Sequence, residues 1–392
     1  MRLPSGVRDW LPQDLRRKRG VESVLRGVFA RWAYAEVQTP GFERSDVLES
    51  ALGQGLEEKT FVFGDRYGTQ LALRPEMTTP IARLVSTRMK GAALPLRLCY
   101  VQPVYRREEP QEGRMREFTQ AGVELIGAQS LDADAESLFM AFEALDALGL
   151  RDVQFDVNHV AIVEGIITSL ALPLEIVSDV KGLVARRNVV GLRERLQGSV
   201  SDRACEALLR VVLMRGQEDV LAFARGVCHT AEGIAGIERL SSLLVRAREL
   251  GFGDRVAIDL SLLRDFEYYT GLIFEGFLNE VGFAVAGGGR YDRLLPRLGF
   301  EAGAVGWSVS VERLLIALER RHSTLFGDAS AIDVLVSGSD VVAARERAAG
   351  RVVRIDFDAL NEEQLLAEAR ALRIPRVLIA SNGSVREVEV RW

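Results

Sequence analysis

Cysteine and histidine are scarce in this chain, with three of each in 392 residues. Cys99, Cys205 and Cys228 are far apart and odd in number, so no disulfide framework is expected. No CxxC pair occurs, and His159, His229 and His322 are not at metal-ligand spacing from one another, so no zinc site is indicated. Long apolar runs are missing too. Nothing approaches the roughly 18 consecutive apolar residues of a membrane span. The opening MRLPSGVRDWLPQD lacks the apolar core of a signal peptide, and a cytoplasmic location is expected. Positive charge is not in excess either. A net charge of −5 announces no nucleic-acid-binding surface and leaves only a local basic patch open. Walker A, HExxH, GxSxG and kinase signatures are absent, and Gly287-Gly288-Gly289 lacks GxGxxG spacing.

What is present suits a globular protein: 48% hydrophobic and 27% charged residues, in a chain long enough for two to three domains at ~150 residues each. Residues 14–33 read as an amphipathic helix, with Val21, Val24, Leu25, Val28 and Phe29 on one stripe. Residues 97–106 and 116–127 read as two strands of a long-looped antiparallel hairpin. Along the second strand, alternation puts Phe118, Gln120, Gly122 and Glu124 on one face and the more apolar Thr119, Ala121, Val123 and Leu125 on the other. A small molecule lying over Gly122 is the expectation for the first face. Helices follow near 132–149 and 159–171, with a strand near 152–158 between them. From about 172 to 250 the pattern is helical and reads as an insertion. Strand signals return at 255–260, 272–277 and 281–286, and a strand runs into a helix over 304–320. A linker is expected at 321–330. The tail 331–392 alternates β, α, β, α, β, β and is close to neutral. Strands are not separated by regular helices, so the fold class is α+β, with a mixed or antiparallel sheet.

A constellation of polar residues lies on or beside apolar strands: Glu76, Arg106, Arg114, Gln120, Glu124, Arg264, Tyr268, Tyr269, Tyr291 and Arg313. Buried charge is costly unless paired, which favours a polar pocket. The blocks that carry these residues are LRPEMT at 73–78, YRREEPQEGRMREFTQAGVELIG at 105–127, LLRDFEYYTGLIFE at 262–275, AGGGRYDRL at 286–294 and AVGWSVSVERL at 304–314. In order and spacing they resemble histidyl-tRNA synthetase, a class II aminoacyl-tRNA synthetase. Thr39-Pro40-Gly41-Phe42-Glu43 resembles the class II motif of the dimer interface.

The resemblance implies a histidine pocket. Glu76, Thr78 and Gln120 would receive the α-amino group, and Arg264 would face the carboxylate. Glu124 and Tyr269 would bond the imidazole nitrogens, and Tyr291 would close the pocket. Arg106 and Tyr268 belong to the same histidine-binding set, with Gly122 in the floor. Arg106, Arg114, Phe118 and Arg313 would form a vestigial ATP side. Glu109 stands where the synthetases have arginine, Ser310 where they have glycine, and Asp265 follows Arg264 where glycine is usual. Each change adds bulk or negative charge beside polyphosphate. The tail is also shorter than a synthetase anticodon-binding domain, and its near neutrality is a poor match to tRNA phosphates.

These departures resemble the regulatory subunits of ATP phosphoribosyltransferase, a paralogous family. By that resemblance, residues 1–325 form a synthetase-like histidine-binding core and 331–392 a small truncated α/β domain. The chain would have no catalysis and no cofactor of its own. It would form a hetero-octamer with the short-form catalytic subunit, dimerise with itself, and take L-histidine as effector, with no tRNA and no membrane partner. A true histidyl-tRNA synthetase with a degenerate tail, and a free-standing histidine-binding or histidine-adenylating protein, are the alternatives.

Overall fold

The computed structural model describes residues 2–52, 59–263, 269–323, 325 and 332–391. They divide between two compact units, Met1–Ser323 and Thr324–Trp392. The strands of the first unit are β1 Ala35–Glu36, β2 Phe42–Arg44, β3 Val62–Gly64, β4 Gln70–Leu73, β5 Leu96–Tyr105, β6 Glu117–Ile126, β7 Gln154–His159, β8 Arg215–Gly216, β9 Val256–Asp259, β10 Leu272–Phe277, β11 Ala286–Arg290 and β12 Ala304–Ser310.

Nine of them make one mixed sheet in the order β1-β5-β6-β12-β11-β10-β7-β9-β8. The centre is antiparallel, and the parallel pairings, β1 with β5 and β7 with β9, lie toward the flanks. The small sheet β2-β4-β3 stands apart. The β5–β6 hairpin is the longest pairing, running from Leu96 opposite Ile126 to Tyr105 opposite Glu117.

Helix Pro12–Arg31 starts with proline in its first turn, where the missing N–H costs nothing. It buries Val21, Leu25, Val28 and Phe29. Phe29 meets Trp307 of β12 edge to face at 5.9 Å, so this helix covers one face of the sheet. On the other face, Met77, Ile81 and Val85 of the segment leading through helix Thr78–Arg88 pack with Leu98, Tyr100, Val104 and Tyr291. The alternation read from the sequence of β6 therefore separates two environments. Thr119 meets Lys18 of the first helix, and Phe118, Gln120 and Glu124 turn the other way.

The helical stretch after residue 172 consists of Leu174–Ala185, Val189–Leu196, Asp202–Leu213, Glu218–Val227 and Ala231–Glu249. The two-residue β8 inside it joins the edge of the main sheet beside β9. One strand is displaced from its expected place: residues 281–285 are irregular, and the strand is β11, which contains the three glycines. A Cβ at Gly288 would overlap the backbone of Gly306 and Trp307 in β12. Glycine is what lets this strand into the sheet.

The second unit carries β13 Val334–Ser337, β14 Val353–Ile355, β15 Arg376–Ser381 and β16 Ser384–Glu389, in the order β14-β13-β15-β16. Helix Asp340–Ala348 packs on Val334 and Val336, and helix Glu362–Ala371 on Leu335 and Val377, one on each face. Of the expected linker at 321–330, residues 324 and 326–330 lie outside the described residues.

Candidate functional site

Glu76 sits in the turn before helix Thr78–Arg88. Its carboxylate accepts the backbone N–H of Thr78 at 2.6 Å and of Thr79 at 3.0 Å. An acidic group at this end satisfies orphan amides and complements the helix dipole. Burial pushes its carboxyl above the ordinary value.

Glu124, on β6, is 1% exposed. Thr78 Oγ1 donates to its Oε1 at 2.9 Å, Tyr291 Oη donates to its Oε2, and Tyr100 Oη stands 3.5 Å from Oε1. Burial pushes this carboxyl up to about 8, against the hydroxyl donors that favour ionisation. Gly306 is its register partner on β12, and a Cβ there would overlap Oε2. Gln120 is held by both ends of its amide. Oε1 accepts from Met77 N at 3.0 Å, and Nε2 donates to Ser308 Oγ at 2.8 Å.

These groups line a cleft of about 120 Å³ together with Arg106, Arg114, Phe118, Tyr269, Glu275 and Arg313. At ~30 Å³ per water in the liquid, that is room for about four waters. Ten of the residues expected from the sequence thus converge: Glu76, Thr78, Arg106, Arg114, Phe118, Gln120, Glu124, Tyr269, Tyr291 and Arg313. Arg264 and Tyr268 lie outside the described residues, as does Asp265. Gly122 is a correction. It is not the open floor, because Tyr100 Oη fills the space above it, 2.6 Å from where a Cβ would stand.

The histidyl-tRNA synthetase family model matches residues 6–314. A protein of Moorella thermoacetica named ATP phosphoribosyltransferase regulatory subunit is 39% identical over 382 residues, covering 95% of this chain and 96% of the relative. A protein of the same name from Syntrophotalea carbinolica is 39% identical, covering 99% and 93%. This chain belongs to the histidyl-tRNA synthetase-like family of ATP phosphoribosyltransferase regulatory subunits. The solved structure of an ATP phosphoribosyltransferase regulatory subunit/histidyl-tRNA synthetase from Bacillus halodurans superposes with a TM-score of 0.85 at 28% identity, covering 97% of this chain and 98% of the other. A histidyl-tRNA synthetase from Nostoc shares the fold, with a TM-score of 0.80 at 21% identity, covering 99% and 96%. The α+β, class II synthetase-like fold read from the sequence is the fold of the family.

The arginine end of the cleft in this family member is engaged by its own chain. Arg313 Nε donates to Gly113 O at 2.8 Å and its Nη1 to Ala284 O at 2.6 Å. Its guanidinium lies 5.1 Å from the Phe283 ring, and burial pulls it below its ordinary value. Phe283 occupies the space that a side chain at Gly113 would need. Arg313 and Phe283 thus clasp the loop between β5 and β6 onto the segment before β11. Arg106 Nε donates to Pro75 O at 2.9 Å, and its guanidinium lies 5.1 Å from the Phe118 ring.

Ser310 does line the cleft, and its Oγ also accepts from Arg313 N at 3.4 Å, capping helix Val311–Arg320. Glu109 is a second correction. It is exposed and outside the cleft, and Glu108 lines the cleft instead, 3.8 Å from Arg106.

Tyr100, Ser308, Glu275 and Arg74 escaped the reading of the sequence. Tyr100 is the register partner of Gly122, so pairing the two strands of the hairpin residue by residue could have found it. Arg74 is 2% exposed and donates to Thr39 O at 2.7 Å, Pro40 O at 2.9 Å, Pro103 O at 2.8 Å and Gln102 Oε1 at 2.7 Å. It ties the Thr39–Pro40 segment to β5 and to the turn that carries Glu76. Among the described residues, no group of three or more His, Cys, Asp and Glu could hold a metal ion. No helix among them is long and apolar enough to cross a membrane.

Proposed function

We propose that the chain is the non-catalytic subunit that activates a short-form ATP phosphoribosyltransferase catalytic subunit and makes it sensitive to histidine. The partner would join ATP to phosphoribosyl pyrophosphate, the first step of histidine synthesis. The observation that carries the reading is the asymmetry of one cleft. One end is assembled from the carboxyl groups of Glu76 and Glu124 with the Gln120 amide, and at its other end Arg313 is tied to carbonyls of its own chain.

Histidine would enter with its ammonium toward Glu76, Thr78 and Gln120. Glu124 and Tyr269 would meet the imidazole, Tyr291 would close over it, and Arg264 would take the carboxylate. A guanidinium suits that last role because it offers two parallel donors. Histidine would act by binding one assembly state more tightly than another. By reciprocity, assembly with the catalytic subunit changes histidine affinity by the same factor. The assembly would be a hetero-octamer, with the regulatory chains dimerising through the segment around Thr39–Glu43.

A second reading, histidyl-tRNA synthetase, is favoured by Arg106, Arg114 and Arg313, which still line the cleft. Histidine-dependent ATP–pyrophosphate exchange, with an authentic synthetase as positive control, separates the two. The expected result is no exchange, histidine binding by calorimetry, and histidine-inhibited phosphoribosyl transfer once the catalytic subunit is added. Robust exchange moves the synthetase reading to the front.

A further inference from the structure

A buried carboxylate behind the cleft joins two elements that the cleft residues alone do not connect. Asp134, in helix Leu131–Ala147, is 1% exposed. Arg290, the last residue of β11, donates from Nε to its Oδ1 at 2.8 Å. Arg239, in the insertion helix Ala231–Glu249, donates to its Oδ2. The same two arginines reach the turn before Asp134. Arg290 Nη1 donates to Ala128 O at 3.0 Å, and Arg239 Nη2 donates to Gln129 O at 2.9 Å and Ser130 O at 2.8 Å. Asp292 completes the set, accepting from Arg290 Nη1 at 3.1 Å and from Ala304 N at 3.1 Å. Two acids thus balance two bases, with Asp134 and Arg290 buried and Arg239 and Asp292 partly open to water. Between Arg290 and Asp292 stands Tyr291, whose hydroxyl donates to Glu124 in the cleft. The insertion helix comes close here because residue 236 is glycine: a Cβ there would stand 2.7 Å from His159 Nδ1.

We propose that the helical insertion sets the geometry of the cleft through Asp134, with Arg239 as a positioning residue for Tyr291. The proposal rests on the reading of the cleft as a histidine pocket. Removing Arg239 leaves a buried acid with an unfilled oxygen and one base fewer, an arrangement that draws in water or shifts the remaining base. The remaining base is Arg290. Its carbonyl accepts from Thr270 N at 2.8 Å, and the next amide, Tyr291 N, donates to Ala304 O at 2.8 Å. A shift of Arg290 therefore moves Tyr291 relative to Glu124. The insertion becomes a handle on the pocket: whatever binds or moves it biases histidine affinity.

A double-mutant cycle on the full chain tests this, read by L-histidine calorimetry and by amide hydrogen exchange over residues 286–292 without ligand. In the native background, Arg239→Gln weakens histidine binding about fivefold and speeds exchange over 286–292. In a Tyr291→Phe background the same substitution changes binding by less than about twofold, because no hydroxyl remains to misplace. Equal losses in both backgrounds, or unchanged exchange, overturn the proposal. Should Arg239→Gln not fold, Arg239→Lys enters the same cycle, because it keeps the charge and loses the forked contact to the turn. A native chain that binds no histidine overturns the reading of the cleft. The exchange measurement decides the role of Arg239 even then.

Discussion

Glu124 carries the clearest consequence at the scale of single residues. Its ordinary value is 4.5, and burial lifts it to about 8. Between those two values the folded chain holds a proton that the unfolded chain has released. The folded state binds more protons there, so this residue's contribution to stability falls as pH rises through the window and levels off above about 8. Glu124→Gln removes that dependence. Thermal unfolding should show the variant gaining on the native protein from pH 5 to pH 9, by more than about 1 kcal/mol at one pKa unit per ~1.4 kcal/mol. A constant gap between the two would show that Glu124 is ionised in the folded state. Alternation along β6 put Glu124 on a polar face from sequence alone. Its protonation was not legible, because it depends on enclosure by Gly306, Tyr100 and Tyr291, and those residues come from three other strands or loops.

At the scale of elements, the loop between β5 and β6 shows how a familiar pattern acquires a new local state. Glu112 pairs with Arg320, Gly113 O receives Arg313 Nε, and Phe283 packs on Gly113. Phe283→Ala removes the apolar part of this clasp. Amides of residues 107–115 should then exchange about tenfold faster, for a local opening free energy lowered by ~1.4 kcal/mol. Unchanged exchange would mean that the two arginines hold the loop alone. The hairpin itself was readable because its strands alternate. The clasp was not, because Phe283 lies in a stretch, 281–286, that reads as a strand and is irregular in the fold up to Ala286. The three glycines of β11 carry no side-chain periodicity, so nothing in their own sequence marks them as a strand. Their neighbours in the sheet do.

At the scale of the whole molecule, every described residue of the cleft belongs to the unit Met1–Ser323. The unit Thr324–Trp392 has apolar clusters of its own around Leu335 and Val336. A chain ending at Ser323 should therefore bind histidine with a dissociation constant within about twofold of the full chain in calorimetry, since the described residues that line the cleft all lie before it. A loss beyond tenfold would assign part of the pocket to the tail.

Local periodicity was enough to show which face of β6 is apolar and to place a first helix at 14–33, which runs Pro12–Arg31 in the fold, but not to find helix Thr78–Arg88 or to divide 172–250 into its helices. The sequence also carried five ordered blocks specific enough to mark a family, because their polar residues recur at spacings that chance does not supply. Tertiary structure alone decided which of those residues meet, where the space between them is filled, and how their charge is held. Tyr100 over Gly122, Phe283 on Gly113 and two arginines on Asp134 are contacts between segments distant in the chain. The closeness of such groups depends on how the sheet closes around them, and no local pattern records that. Their energetics depend on exclusion of water, which only the assembled fold provides.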